Sequence, residues 1–131
     1  MVISMMRMES FKTDDLFKQI NKPKDPSNMS DLEKKHLPNI ECPDTVEINK
    51  PFDVTINIGS GLDHPSEQAH FIQWIELSRG NCDITREYLQ PVFSMPRVTF
   101  RIRLDKDTKL VVRESCNLHG IWENIKEIKV R

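Results

Sequence analysis

The sequence predicts an all-β chain: an antiparallel sandwich of about seven short strands, preceded by a short helix and a linker. Three observations carry that prediction. Phe52, Val54, Ile56 and Ile58 alternate with Asp53, Thr55 and Asn57, so one face of this segment is buried and the other wetted. Val98, Phe100, Ile102 and Leu104 repeat the pattern against Arg97, Thr99, Arg101 and Arg103. Phe71 to Leu77 is apolar on both parities, as a central strand between two packed layers is.

In chain order, residues 1–30 read as an extension and residues 31–131 as the sandwich domain. Thr13 can cap a short amphipathic helix, with Asp14 and Asp15 at its positive end and Leu16, Phe17 and Ile20 along one side. Asn21 to Ser30, with Pro23 and Pro26, reads as a linker. Ser30-Asp31-Leu32-Glu33 has capping-box spacing and predicts one helical turn before His36, which Pro38 stops by forcing Leu37 into an extended conformation. Lys50-Pro51 introduces the strand from Phe52, and Gly59-Ser60-Gly61 ends it. Leu110 to Val112 and Ile125 to Val130 supply further strands, with Thr45 to Ile48 and Ile84 to Leu89 as weaker ones.

Composition narrows the function. The chain has 131 residues, enough for one core. Its 19 basic and 20 acidic side chains leave a net charge of -1, which provides no field to attract nucleic acid or an anionic membrane. No apolar run nears the roughly 18 residues that cross a bilayer. Met1 to Met8 lacks the apolar core and cleavage site of a secretory signal. Three cysteines without framework spacing argue against a secreted disulfide scaffold. The expectation is a soluble cytoplasmic protein.

Two clusters carry chemistry. His64-Pro65-Ser66-Glu67-Gln68-Ala69-His70 lies in the loop before the central strand, and Cys116-Asn117-Leu118-His119-Gly120 follows the strand that ends near Glu114. A cysteine and a histidine so close can place sulfur and imidazole nitrogen on one ion, and that pairing selects transition metals over Mg²⁺ or Ca²⁺. Each cluster alone is also what a turn or a strand end produces. Together with His36 they account for all four histidines of the chain.

His36-Leu37-Pro38, His64-Pro65 through His70, Trp74-Ile75 and Cys116-Asn117-Leu118-His119-Gly120-Ile121-Trp122, in this order, closely resemble the superoxide reductases of the neelaredoxin and desulfoferrodoxin family, from about Lys34 to the end. The resemblance implies an immunoglobulin-like β-sandwich holding one mononuclear iron. It implies His36, His64, His70 and His119 as equatorial ligands and Cys116 as the axial thiolate, with the sixth position open to superoxide. It also implies one-electron reduction to hydrogen peroxide, re-reduction by a rubredoxin-like donor, and a homodimer or homotetramer. The rubredoxin-like iron domain of some relatives needs further cysteines, and none precedes Cys42, so the single-iron type is expected. Cys42 and Cys82 are expected to be structural or incidental, and Trp74 and Trp122 to pack beside the site.

The family usually reads Glu-Lys-His-x-Pro, with the glutamate capping the ferric ion and the lysine drawing in superoxide. Here Glu33-Lys34-Lys35-His36-Leu37-Pro38 puts Lys35 at the lysine position and Lys34 at the glutamate position. Lys35 is therefore the expected substrate-attracting residue, and the glutamate has no counterpart in register. Either solvent fills the ferric sixth position or a shifted loop lets Glu33 reach it. Two other readings compete with this one. A blue-copper carrier lacks its methionine, because the last one, Met95, precedes Cys116. A non-catalytic module with structural zinc would need four ligands where five are available.

Overall fold

The structure is a computed structural model that describes residues 16–131. Among them nine strands and one named helix form two sheets. The strands are β1 (Ile20–Asn21), β2 (Pro38–Glu41), β3 (Thr45–Val46), β4 (Phe52–Ile58), β5 (Ile72–Ser78), β6 (Asp83–Tyr88), β7 (Arg97–Ile102), β8 (Thr108–Cys116) and β9 (Gly120–Val130), and α1 is Asp31–His36. One sheet runs β1-β9-β8-β5-β6, with β3 also on β9, and the other runs β2-β4-β7.

The two alternating segments, β4 and β7, pair side by side in the smaller sheet and turn their apolar faces toward the larger one. Val54, Ile56 and Ile58 of β4, and Ile75, Leu77, Leu110 and Val112 of the larger sheet, are fully buried. β5 lies inside its sheet, between β8 and β6, but a second layer covers only its inner face, not both faces as its two-sided apolarity predicts. The antiparallel expectation holds with two exceptions, since β1 and β3 both pair parallel with β9, near its two ends. At eleven residues β9 has room for both short partners. β1 and β2 were not foreseen. Pro38 to Glu41 has no clean alternation and becomes a strand by pairing along β4 from Pro38↔Ile58 to Glu41↔Thr55.

The predicted Thr13 cap and its acidic neighbours lie outside the described residues, whereas 16–18 are helical. Residues 16–21 form a strap on the start of β9, so Asn21 belongs to a strand, while the rest of the predicted linker, 22–30, has neither helix nor strand. Asn21 is buried and its Nδ2 donates to the carbonyls of Leu16 at 2.8 Å and Ile121 at 2.9 Å. No helix among the described residues is long and apolar enough to cross a membrane.

The backbone at Gly120 allows the strap to approach closely. Its φ is +78°, and a Cβ there would stand 2.5 Å from the Leu16 carbonyl oxygen. Gly120→Ala is expected to cost about 1–3 kcal/mol in chemical denaturation and to loosen the strap, read as faster tryptic cleavage after Lys18.

Candidate metal centre

The connections at one end of the sandwich converge on a cluster of imidazoles. α1 leads into β2, the 59–71 loop joins β4 to β5, and the tight turn after Cys116 joins β8 to β9. Backbone bonds pin the first two together: Gly59 N–H donates to Leu37 O and Ser60 N–H to Lys34 O. Asn117 holds the loop to the turn, donating from Nδ2 to Ala69 O at 2.9 Å and accepting from Phe71 N–H at 2.9 Å. Ser66 anchors the loop's other side, taking the Val92 N–H and donating to Ser94 O.

The capping box forms as its spacing predicts. Ser30 Oγ accepts from Glu33 N–H and the Glu33 carboxylate accepts from Ser30 N–H, which places His36 as the last residue of α1. Around it the four rings close into a circle. His36 stands edge-to-face with His64 and His119 at 4.8 Å, His64 with His70 at 4.5 Å, and His70 with His119 at 5.1 Å. His36 and His70 face each other across it at 6.2 Å. Donor atoms of His36, His70, Cys116 and His119 lie within 4.8 Å of one another. His64 falls outside that group of four, yet its Nε2 is 3.4 Å from Cys116 Sγ, and His119 Nδ1 is 3.7 Å from the same sulfur. All five residues singled out in the sequence therefore meet at one point.

Hydrogen bonding sets which nitrogen faces inward. A carbonyl can only accept, so His36 Nδ1–H donates to Leu32 O and His64 Nδ1–H to Pro65 O, both at 2.7 Å, leaving Nε2 with its lone pair. The Nε2 atoms of His36 and His70 are buried without any partner. Buried nitrogens are nearly always satisfied, and two unsatisfied ones facing inward, beside two more imidazoles at the Cys116 sulfur, match the donor set of a transition metal. Desolvation lowers all four imidazoles, His36 to about 4 and His64 to about 3, so they are neutral and ready to ligate. Burial pushes the Cys116 thiol up to about 11, against the Leu118 and His119 N–H groups that point at its sulfur. A bound cation would reverse that preference and take the thiolate.

The ring has a closed and an open side. His36, His64 and Cys116 are buried, whereas His70 and His119 are half-buried. Lys35 is exposed, and its positive charge acts on His36 and His70. Trp122 stacks on His36 at 5.3 Å and donates from its indole N–H to His119 O, as expected of a residue packed beside the site. Trp74 is different: it lies on the outer face of β5, half-buried under the Arg86 guanidinium, because the strand's alternation gives the inner face to Ile75. Cys42 packs against the core and Cys82 is exposed; neither approaches the ring.

Glu114 was missed in the sequence. Its carboxyl is fully buried with no partner, and desolvation drives its pKa well above the carboxylate range. The signal was available, since Leu110, Val112, Glu114 and Cys116 share the inner parity of β8 and only one of them is an acid.

These shifts fix a pH response for the metal-free protein. Its depressed imidazoles bind fewer protons folded than unfolded, where His titrates near 6.5, so stability is lost as pH falls from about 6.5 toward 4. Glu114 acts oppositely, but one carboxyl does not reverse four imidazoles. The urea midpoint without metal is expected to be lower at pH 5 than at pH 7; equal midpoints would mean that the rings are solvated.

Comparisons with known proteins match this geometry. The family model described as Desulfoferrodoxin matches residues 28–125. A Methanocaldococcus jannaschii protein named as a candidate superoxide reductase is 42% identical over 104 residues, covering 76% of this chain and 86% of its own length. The neelaredoxin of Megalodesulfovibrio gigas is 29% identical, over 75% and 89% of the two chains. Among solved structures, the superoxide reductase (neelaredoxin) of Ignicoccus hospitalis superposes with a TM-score of 0.75 at 36% identity, covering 90% of this chain and 98% of that one. With a family match over most of its length, and a relative of this identity, the chain belongs to the desulfoferrodoxin family.

Proposed function

We propose that this chain is a superoxide reductase with a single iron, ligated by the imidazoles of His36, His64, His70 and His119 and by the Cys116 thiolate. The observation that carries the reading is the ring of four neutral imidazoles around one buried sulfur, two with inward nitrogens that have no partner and two that reach the sulfur itself. Iron in this donor set supplies the one electron that, with two protons, turns superoxide into hydrogen peroxide. A small redox protein of the rubredoxin type returns the electron.

The chain's own residues provide access and charge. Superoxide arrives on the side of His70 and His119, where the ring is least buried. Lys35 raises the local concentration of the anion there. His36 and His64, tied to backbone carbonyls, keep their rings from turning. The Leu118 and His119 N–H groups hold the sulfur in place and temper its donation. The open side gives solvent direct access to protonate the product. The sandwich of residues 31–131 is the working unit, with 16–21 laid along β9 as a strap. Likeness to the family extends the reading to a homodimer or homotetramer in the cytoplasm.

Anaerobic ferrous protein mixed with limiting superoxide is expected to yield one hydrogen peroxide per superoxide and no oxygen, with matching oxidation of the iron. Half that peroxide together with oxygen would identify dismutation instead, and superoxide loss no faster than in buffer would sink the reading. Lys35→Ala is expected to slow the second-order rate roughly threefold at low salt and to flatten its dependence on ionic strength, without changing metal content.

A further inference from the structure

Glu33 sits three residues before His36 on α1, while Glu67, an exposed acid near the ring, acts on His70 from the 59–71 loop. The Glu33 carboxylate is already engaged. Oε1 accepts the Ser30 N–H at 2.9 Å and Oε2 accepts the Lys24 N–H at 2.9 Å, so both oxygens face the strap side of α1. The same residue's backbone serves the helix at both ends: its N–H donates to Ser30 Oγ, and its carbonyl accepts the Leu37 N–H that closes the last turn.

α1 has only six residues, too few to persist without such closure. It also provides the second hold on His36, because the ring's Nδ1–H is anchored to Leu32 O one turn back. Lys34, in the intervening position, gives its carbonyl to Ser60 N–H and so ties the same turn to the loop that carries His64. Unwinding α1 would release both the main chain and the ring anchor of His36.

From this geometry we infer that Glu33 is a positioning residue for His36, a staple between the 22–30 segment and α1, and that it does not close the open face of the centre. That face is left to solvent and to small exogenous anions such as azide. The inference rests on the iron reading above and deepens it for this chain.

The test uses the full-length protein loaded with iron, and the wild type is measured first. Absence of an iron–thiolate absorption band in the wild type would defeat the iron reading itself, independently of what the variants do. Given that band, Glu33→Ala and Ser30→Ala are each expected to weaken ferrous-ion retention against a chelator about tenfold, the effect of losing a helix cap. The double variant should be little worse than either, because both break one box. Glu33→Gln, which keeps an accepting oxygen, should recover most of the retention, with the ferric absorption band and the azide affinity unchanged. A shifted ferric band or a changed azide affinity in Glu33→Gln, absent from Ser30→Ala, would overturn the inference by showing the carboxylate at the metal. So would wild-type retention in both alanine variants.

Discussion

Burial of donor atoms that have no protein partner is the constraint on which the rest of the molecule depends. A polar atom taken from water and left unsatisfied costs on the order of 1–3 kcal/mol, and the ring contains at least two such nitrogens, His36 Nε2 and His70 Nε2. A fold tolerates that only where the surroundings hold the groups in place and a ligand repays the loss. The surroundings here are rigid. Both ends of α1 are closed, Asn117 clamps the 69–71 segment from both sides, and Trp122 covers His36. None of these residues offers a hydrogen bond to the inward nitrogens. Each fixes the backbone or the outer edge of a ring instead.

The sandwich explains why three segments far apart in sequence can be held so tightly. β2 begins opposite the end of β4, and Ile72, Cys116 and Gly120 stand in one row across β5, β8 and β9. The connections that carry the histidines therefore all leave from the same end of two well-paired sheets. The core beneath, with Ile58, Ile72 and Val112 fully or nearly fully buried, transmits that rigidity to the loops. The bulge between Ile72 and Trp74 occurs where β5 meets this end, and from there the strand resumes its alternation with Ile75 inward. Bulges beside functional sites re-aim side chains in this way.

How much of this could be read from the sequence depended on the kind of signal each residue left. The sandwich was legible because β4, β5 and β7 are patterned by burial alone, which is a local property of the sequence. The ligand cluster was legible because the chain uses all its histidines in motifs of recognisable spacing. β1 and β2 left no such trace: both exist through pairing with a distant strand, and Asn21 looks like any linker residue until Ile121 comes alongside. Trp74 misled because its apolarity was read as inward, whereas alternation with Ile75 turns it outward under Arg86. Glu114 was overlooked for the opposite reason: an acid at an inner-face position looks like noise unless parity is followed along the whole of β8.

Glu114 also completes the electrostatics of the centre. Ionised, it would set a second negative charge beside the Cys116 thiolate, in a region where water cannot screen it. Burial keeps it protonated, so the sulfur is the only anion on the inner side of the ring. Four neutral imidazoles and one thiolate would then leave any divalent ion seated there with one net positive charge, while on the exposed side Lys35 and Glu67 act on His70 with opposite signs. An anion would be drawn by the charge of the ion, while a neutral molecule of the same size would gain nothing from it. On the function proposed above, preference for a small anion would therefore depend on a desolvated acid as much as on the ligands themselves.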